Sequence, residues 1–217
     1  MAFDLLALFD PGTVDRVAAR WVPGAAELVK EWRARQFQYT WLRSAGQHYA
    51  DFEQVTEQAL AFAARARGLE LADDVRRELL LAYRSLEPWP DTRDALHALH
   101  ASGLRLALLS NFTAAMAADV LERAQLAGAF DRVISTGAIR AYKPEPRAYH
   151  LAVDELDLPR EAIAFAAFAS WDACGGAWFG FPTFWVNRAG AAPEQLDARV
   201  DASGPDLGHL REWLVRS

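Results

Sequence analysis

Four polar groups in this chain each stand at the end of an apolar run or just before a stiff turn, and together they could carry out nucleophilic chemistry. A carboxylate beside the N–H groups of a tight turn suits attack on a small electrophile, and a lysine can neutralise its charge. Each group could equally cap a helix or a turn, but their order along the chain is more specific than any one alone. In chain order they are Asp10, Ser110 with Asn111, Lys143 and Asp172.

The first of these groups follows the apolar run 5–9, and a Pro11-Gly12 turn comes directly after it. An apolar run of this length, bounded by a turn, predicts a strand that is buried on both faces of a sheet. Asp10 would then lie at the carboxyl end of that strand, where open α/β sheets place their chemistry. Thr13 follows as a helix-capping residue.

The elements that must position these groups divide into two kinds. From residue 104 onward, short apolar runs alternate with amphipathic segments, which predicts a parallel sheet built from βαβ units. Residues 14–90 have helical periodicity and no convincing strand. We therefore predict a doubly wound α/β core from residues 1–13 and 91–217, with a helical cap from residues 14–90.

The composition limits the class of function. A formal charge of -6 over 217 residues argues against a general nucleic-acid-binding protein. Lys30 and Lys143 are the only lysines, which makes Lys143 conspicuous. The lone cysteine, Cys174, suits a reducing cytoplasm, and no apolar run reaches the length of a membrane span. We expect a cytoplasmic protein with no membrane or nucleic-acid partner.

At this point the sequence resembles the haloacid dehalogenase superfamily, and within it the dehalogenases that act on L-2-haloacids. The resemblance covers nearly the whole chain. It rests on four stretches: WRARQFQYTWLRS at 32–44, LALLSNFT at 106–113, AYKPEPRAY at 141–149 and WDACGGAWFGFPTFWVNR at 171–188. It implies hydrolysis of short 2-haloalkanoic acids to 2-hydroxy acids through an aspartyl ester, without metal or cofactor.

The resemblance also implies roles for individual residues. Ser110 and Asn111 would hold the substrate carboxylate and the attacking aspartate, and Lys143 would neutralise that aspartate. Asp172 would hold Lys143 and help to activate the hydrolytic water. The remaining candidates are Thr13 at the catalytic centre, Arg33 for the halide with Asn111 beside it, Tyr149 near the nucleophile, and an apolar wall of Phe37, Phe52 and Trp171.

The identity of the nucleophile stays open between two registers. Aligning Asp4 with the family's first aspartate keeps the distance to Arg33 nearly right, but it leaves three residues for the central strand. Aligning Asp10 gives a strand of ordinary length and keeps Gly12 and Thr13 in the motif. Because three-residue strands are rare at the centre of a sheet, we favour Asp10.

Other departures from the family leave alternative functions open. Ala167 and Ala169 stand where the family has a serine and an asparagine beside the hydrolytic water. Loss of such groups can lower the rate by ~10²-fold or more, so a catalytically impaired or non-catalytic relative is one alternative. A phosphatase of the same superfamily is a weaker one, because neither Gly12 nor Leu6 supplies the second acid that such enzymes need.

The cap is rich in aromatic residues, with eight tryptophans in the whole chain. Large exposed apolar patches are unusual on monomers. We therefore expect the surface around Trp32 to Trp41 to pair with a second copy as a homodimer.

Overall fold

The computed structural model describes residues 1–216 and has a parallel sheet as its central layer. Its strands lie in the order β5-β4-β1-β6-β7-β8. These strands are β1 (Ala2–Phe3), β4 (Ala107–Ser110), β5 (Arg132–Ser135), β6 (Phe165–Ala167), β7 (Thr183–Val186) and β8 (Ala202–Gly204), and all of their pairings are parallel. The predicted doubly wound α/β core is confirmed.

Helices connect and cover these strands. The core helices are α1 (Leu5–Leu8), α6 (Thr92–Ala101), α7 (Ala114–Arg123), α8 (Pro146–Leu156), α9 (Ser170–Phe179) and α10 (Leu207–Arg216). Short 3₁₀ turns at Thr136–Ile139 and Arg160–Ala162 complete the connections. Successive side chains of a strand point to opposite faces, so Phe3 and Leu108 join one apolar cluster while Ala2 and Leu109 join another across the sheet.

A helical insertion follows the first strand, as predicted. Its helices are α2 (Gly12–Trp21), α3 (Ala25–Ala45), α4 (Phe52–Ala66) and α5 (Asp73–Ala82). Where the chain leaves and re-enters the core, β2 (Phe9–Asp10) pairs antiparallel with β3 (Glu87–Pro88). The boundaries of the two domains, at residues 13/14 and 90/91, stay a prediction.

The prediction of a strand over residues 5–9 is wrong. The central strand β1 has only two residues, and it is a strand because β4 and β6 pair with it on both sides. Asp4 N still donates to Ala166 O at 2.9 Å and then caps α1, its side chain accepting from Leu6 N at 3.1 Å. The apolar run is buried as helix α1. Thr92, the first residue of core helix α6 after the insertion, donates from Oγ1 to Leu8 O at 2.7 Å.

Of the two tryptophans that bound the predicted contact surface, Trp32 differs from the prediction in its exposure and Trp41 does not. Trp32 is fully buried and donates from Nε1 to Thr56 O at 2.8 Å, so it belongs to the core of the cap and cannot form an exposed dimer surface. Trp41 is 40% exposed and its neighbour Leu42 is 59% exposed. Within residues 1–216, no helix combines the length and the apolar character needed to cross a membrane.

Close packing of α9 on the sheet generates a stability prediction. A Cβ on Gly176 would lie 2.6 Å from Phe165 Cδ1 and 3.1 Å from Thr183 Oγ1. We expect Gly176→Ala to lower the free energy of unfolding by about 1–3 kcal/mol, as overpacking of a core does. Urea unfolding would measure the loss. Gly128→Ala is the matched control, because a Cβ there meets nothing within 4 Å; equal stability of the two variants would contradict the packing argument.

Candidate active site

A buried lysine joins two carboxylates at the carboxyl edge of the sheet. Lys143 Nζ lies 2.8 Å from Asp4 Oδ1 and 2.7 Å from Asp172 Oδ2. The Lys143 side chain is 1% exposed, Asp172 2% and Asp4 14%. Asp4 is therefore the more accessible carboxylate, and Asp172 is almost fully buried although it also lines the cavity.

The aspartate opposite Lys143 is Asp4, and the predicted placement of Asp10 there is wrong. Asp10 lies in the β2–β3 hairpin, where its side chain accepts from Gly12 N at 2.7 Å and pairs with Arg16 at 2.8 Å. It closes a turn at the surface end of the hairpin. The physical reason is the short β1, which brings Asp4 to the edge of the sheet six residues earlier than the sequence reading placed the carboxylate.

Thr13, which was predicted beside the nucleophile, is also held in this hairpin. Its hydroxyl accepts from Glu87 N at 3.0 Å and from Arg16 at 3.0 Å. The predicted place for Thr13 in the catalytic centre followed from choosing Asp10, and it is wrong for the same reason.

Ser110 and Asn111 follow β4 and lie beside Lys143. Asn111 Oδ1 accepts from Lys143 N at 2.9 Å and from Thr136 Oγ1 at 3.2 Å, which leaves its amide N–H groups for a ligand. Ser110 Oγ accepts from Phe112 N at 3.1 Å, and its own hydrogen is then available for donation. Both residues line the cavity, as expected.

Tyr149 supports the far side of the charge cluster. Its hydroxyl donates to Asp172 Oδ1 at 2.8 Å. Burial, and then the charge of Asp172, raise the pKa of Tyr149 well above its ordinary value, so the phenol stays a donor. Tyr149 is buried, and the Asp172 side chain that accepts its hydrogen bond also accepts one from Lys143 Nζ.

The electrostatics follow from burying three charges together. Burial by itself lowers the pKa of Lys143, but Asp172 and Asp4 outweigh it, so the pKa lies above its ordinary value. Burial raises the pKa of Asp172 to about 6, with Lys143 opposing the rise and Asp4 adding to it. The pKa of Asp172 is thus close to neutral pH, so its carboxylate can take up a proton when the local charge changes.

The cavity lies between this cluster and the inserted helices and is small, about 30 Å³. Arg33, Phe37 and Phe52 line it from the insertion, and Trp171 lines it from the start of α9. Arg33 also donates to Asp15 Oδ2 at 2.8 Å and to Pro11 O at 3.2 Å, and these two hydrogen bonds fix the orientation of its guanidinium. Phe37 packs edge-on against Trp171 with ring centroids 5.3 Å apart, so insertion and core meet at an aromatic contact.

The structure adds lining residues that the sequence reading missed. They are Leu6, Pro11, Gln36, Tyr83, Phe112 and Phe168. Gln36 and Tyr83 read as ordinary helix-face residues, because no local motif marks them. Ala169 lines the cavity while Ala167 is buried in β6. Among residues 1–216, no group of three or more His, Cys, Asp or Glu side chains is arranged to hold a metal ion.

Comparison with known proteins agrees with this geometry. A model of the haloacid dehalogenase-like hydrolase family matches residues 14–166. The chain belongs to the haloacid dehalogenase-like hydrolases. It is 39% identical to the (S)-2-haloacid dehalogenase H-109 of Pseudomonas putida, across 99% of this chain and 97% of that protein.

Solved structures of the same family superpose closely on this hydrolase. The L-2-haloacid dehalogenase RSc1362 has a TM-score of 0.96 and 37% identity, covering 99% of this chain and 97% of its own. The L-2-haloacid dehalogenase of Xanthobacter autotrophicus with chloropropionic acid covalently bound has a TM-score of 0.87 and 31% identity, covering 100% and 97%. The predicted family and the predicted fold, with its inserted helical cap, are confirmed.

The buried charge cluster of this hydrolase generates a prediction for Lys143→Met. Removing the cation leaves Asp172 buried without its ion pair, which we expect to cost about 3 kcal/mol or more at pH 7. The folded-state pKa of Asp172 then rises further above its unfolded value. The folded variant takes up this proton at a higher pH than the wild type, so the cost of the substitution should shrink as the pH falls toward about 6 and level off below it, where Asp172 of the wild type is protonated as well.

Urea unfolding of both proteins at pH 7 and pH 5 measures this cost. Lys30→Met is the matched control, because Lys30 is the chain's other lysine and is exposed. A loss for Lys143→Met that is equal at the two pH values would contradict the assignment of the cost to Asp172.

Proposed function

We propose that this hydrolase removes halide from short (S)-2-haloalkanoic acids, with Asp4 as the nucleophile. The observation that carries the proposal is the ion pair of the partly exposed Asp4 with the buried Lys143, at the floor of a cavity lined by Arg33. The names of the similar proteins support the substrate class, and the covalently bound chloropropionic acid of the Xanthobacter structure supports an enzyme-bound intermediate.

In the first step, a carboxylate oxygen of Asp4 attacks the carbon that carries the halogen, from the side opposite the halogen. The C–O bond of an ester forms and the carbon–halogen bond breaks, with its electron pair leaving on the halide. Lys143 holds the carboxylate in place through Oδ1. Ser110 and Asn111 offer donors to the substrate carboxylate, and Arg33 offers a cation to the departing halide.

In the second step, water attacks the carbonyl carbon of the Asp4 ester. Asp172 accepts one proton of that water, helped by a pKa of about 6. The ester C–O bond breaks, the alcohol oxygen takes a proton, and Asp4 returns as a carboxylate that contains one water oxygen. The net products are a 2-hydroxy acid of inverted configuration, halide and one proton.

A paired substitution tests the nucleophile. Asp4→Asn should reduce turnover to background, because an amide cannot form the ester. Asp10→Asn should retain near-normal turnover and lose about 1 kcal/mol of stability or less, because it removes a surface ion pair while the amide oxygen can still accept the turn hydrogen bond from Gly12 N. Chloride release from (S)-2-chloropropionate, with excess EDTA present because the proposal needs no metal, is the measurement.

A single turnover in ¹⁸O-water, followed by mass spectrometry of peptides, should put the label in Asp4. Label in Asp10 would overturn the assignment. Absence of label from both, with no halide released from chloro- or bromopropionate, would mean that the chain has the fold without the chemistry, which the alanines at 167 and 169 make the relevant alternative.

We further propose that the protein works in the cytoplasm as a homodimer, with the half-exposed Trp41 and the exposed Leu42 on its contact surface. Exposed apolar side chains that together form a patch are typical of interfaces. Sedimentation should show a species of twice 24.1 kDa at micromolar concentration. Leu42→Glu should shift it toward the monomer, whereas Val215→Glu, also at an exposed apolar residue, should not; a wild-type monomer would exclude the dimer.

A further inference from the structure

The insertion places a second polar donor in the cavity beside Arg33, and it is Tyr83. The residue follows helix α5, is 3% exposed and lines the cavity. Packing fixes its ring, which lies edge-on to Trp32 with centroids 5.1 Å apart and tilted against Phe112 at 6.2 Å. The hydroxyl position is therefore set by buried neighbours on both sides.

The hydroxyl of Tyr83 is buried and makes no hydrogen bond of normal geometry within residues 1–216, and its nearest polar neighbours are the side chains of Arg33 and Gln36. Burial raises the pKa of Tyr83 to about 12, with nearby Arg33 opposing the rise, so the group is a neutral O–H donor. A buried hydroxyl without a partner carries a desolvation cost of about 1–3 kcal/mol. Such a hydroxyl in a cavity wall can donate its hydrogen bond to an acceptor atom of a bound ligand.

The other cap-side polar groups define what that ligand atom is. The amide nitrogen of Gln36 donates one hydrogen to Thr56 Oγ1 at 2.6 Å, and the Gln36 side chain also interacts with the Tyr83 hydroxyl. Arg33 and Tyr83 are then the cap-side donors that we assign to the cavity. The nucleophile Asp4 and the donors Ser110 and Asn111 belong to the core side.

The direction of displacement connects this donor to the leaving group. A carboxylate that attacks from the core side expels the halide away from the core, toward the cap. Charge develops on the halogen only as its bond breaks, so a donor placed there stabilises the transition state more than the ground state. We infer that the Tyr83 hydroxyl donates a hydrogen bond to the departing halide and, with Arg33, forms the halide site.

This inference rests on the proposed function and predicts a dependence on the halogen. Chloride is the stronger hydrogen-bond acceptor, so losing the donor should slow chloride release more than bromide release. Tyr83→Phe keeps the ring and removes one oxygen, and the loss of a hydrogen bond to a charged group corresponds to roughly 10-fold to 100-fold in rate. We expect that loss in kcat for (S)-2-chloropropionate, a smaller loss for (S)-2-bromopropionate, and little change in KM.

The experiment measures single-turnover halide release from both substrates by the wild type, Tyr83→Phe and Tyr39→Phe. Tyr39 lies on cap helix α3, packs against Phe62 and does not line this cavity, so Tyr39→Phe should match the wild type. Thermal unfolding checks that Tyr83→Phe is folded. It should be as stable as the wild type or more so, because an unpaired buried hydroxyl has been removed.

A second measurement does not depend on turnover. Chloride and bromide are titrated into each protein and followed by tryptophan fluorescence, since Trp171 lines the cavity. The dissociation constant for chloride should rise about tenfold or more in Tyr83→Phe, consistent with loss of one charge-assisted hydrogen bond.

Equal slowing of both substrates, or unchanged chloride binding, would overturn the role of Tyr83. A rise in KM with unchanged kcat would instead assign the hydroxyl to the substrate carboxylate and would also overturn it. If the wild type released no halide from either substrate, the proposed function would fail, while the chloride titration would still decide whether Tyr83 binds halide.

Discussion

The structure depends on one buried cation held between two carboxylates. Lys143 Nζ lies within 2.8 Å of both Asp4 and Asp172, and these three groups come from three distant parts of the chain. Burying a lysine costs free energy that only close ion pairs and hydrogen bonds offset. The strand ends that carry the three side chains must therefore stay in register, and Tyr149 holds Asp172 from behind with a further hydrogen bond at 2.8 Å. The sheet therefore positions the three side chains of this charge cluster.

The same cluster places two chemically identical side chains, Asp4 and Asp172, in different environments. Asp4 is partly exposed at the cavity, which suits a nucleophile, whereas Asp172 is almost fully buried, which raises its pKa to about 6 and suits a base. In the proposed reaction, the insertion would supply the groups that a departing anion requires. Arg33 and Tyr83 line the cavity from the insertion, and the aromatic contact between Phe37 and Trp171 joins the two halves of the cavity.

The alanines at positions 167 and 169 show how this arrangement differs from what the family resemblance leads one to expect. Ala167 is buried within β6, and Ala169 lines the cavity without offering a hydrogen bond. Water near the Asp4 ester would therefore depend on Asp172 and on the Ser110–Asn111 pair. In this chain, more of the polar chemistry rests on the lysine-centred cluster than the motif pattern suggests.

Sequence alone determined the parallel α/β core, its helical insertion, and the positions of Ser110, Asn111, Lys143 and Asp172. Apolar periodicity and turn residues are local signals, and the carboxyl ends of parallel strands meet at one edge. Only the tertiary structure decided which aspartate faces the lysine. A two-residue strand is too short to be read from its own sequence, because the pairing that makes β1 a strand comes from β4 and β6. The run 5–9 is apolar because α1 is buried, which a local pattern cannot distinguish from a buried strand. Trp32 and Tyr83 lie in the core and the cavity wall for the same reason: helix packing in three dimensions fixes which face is covered.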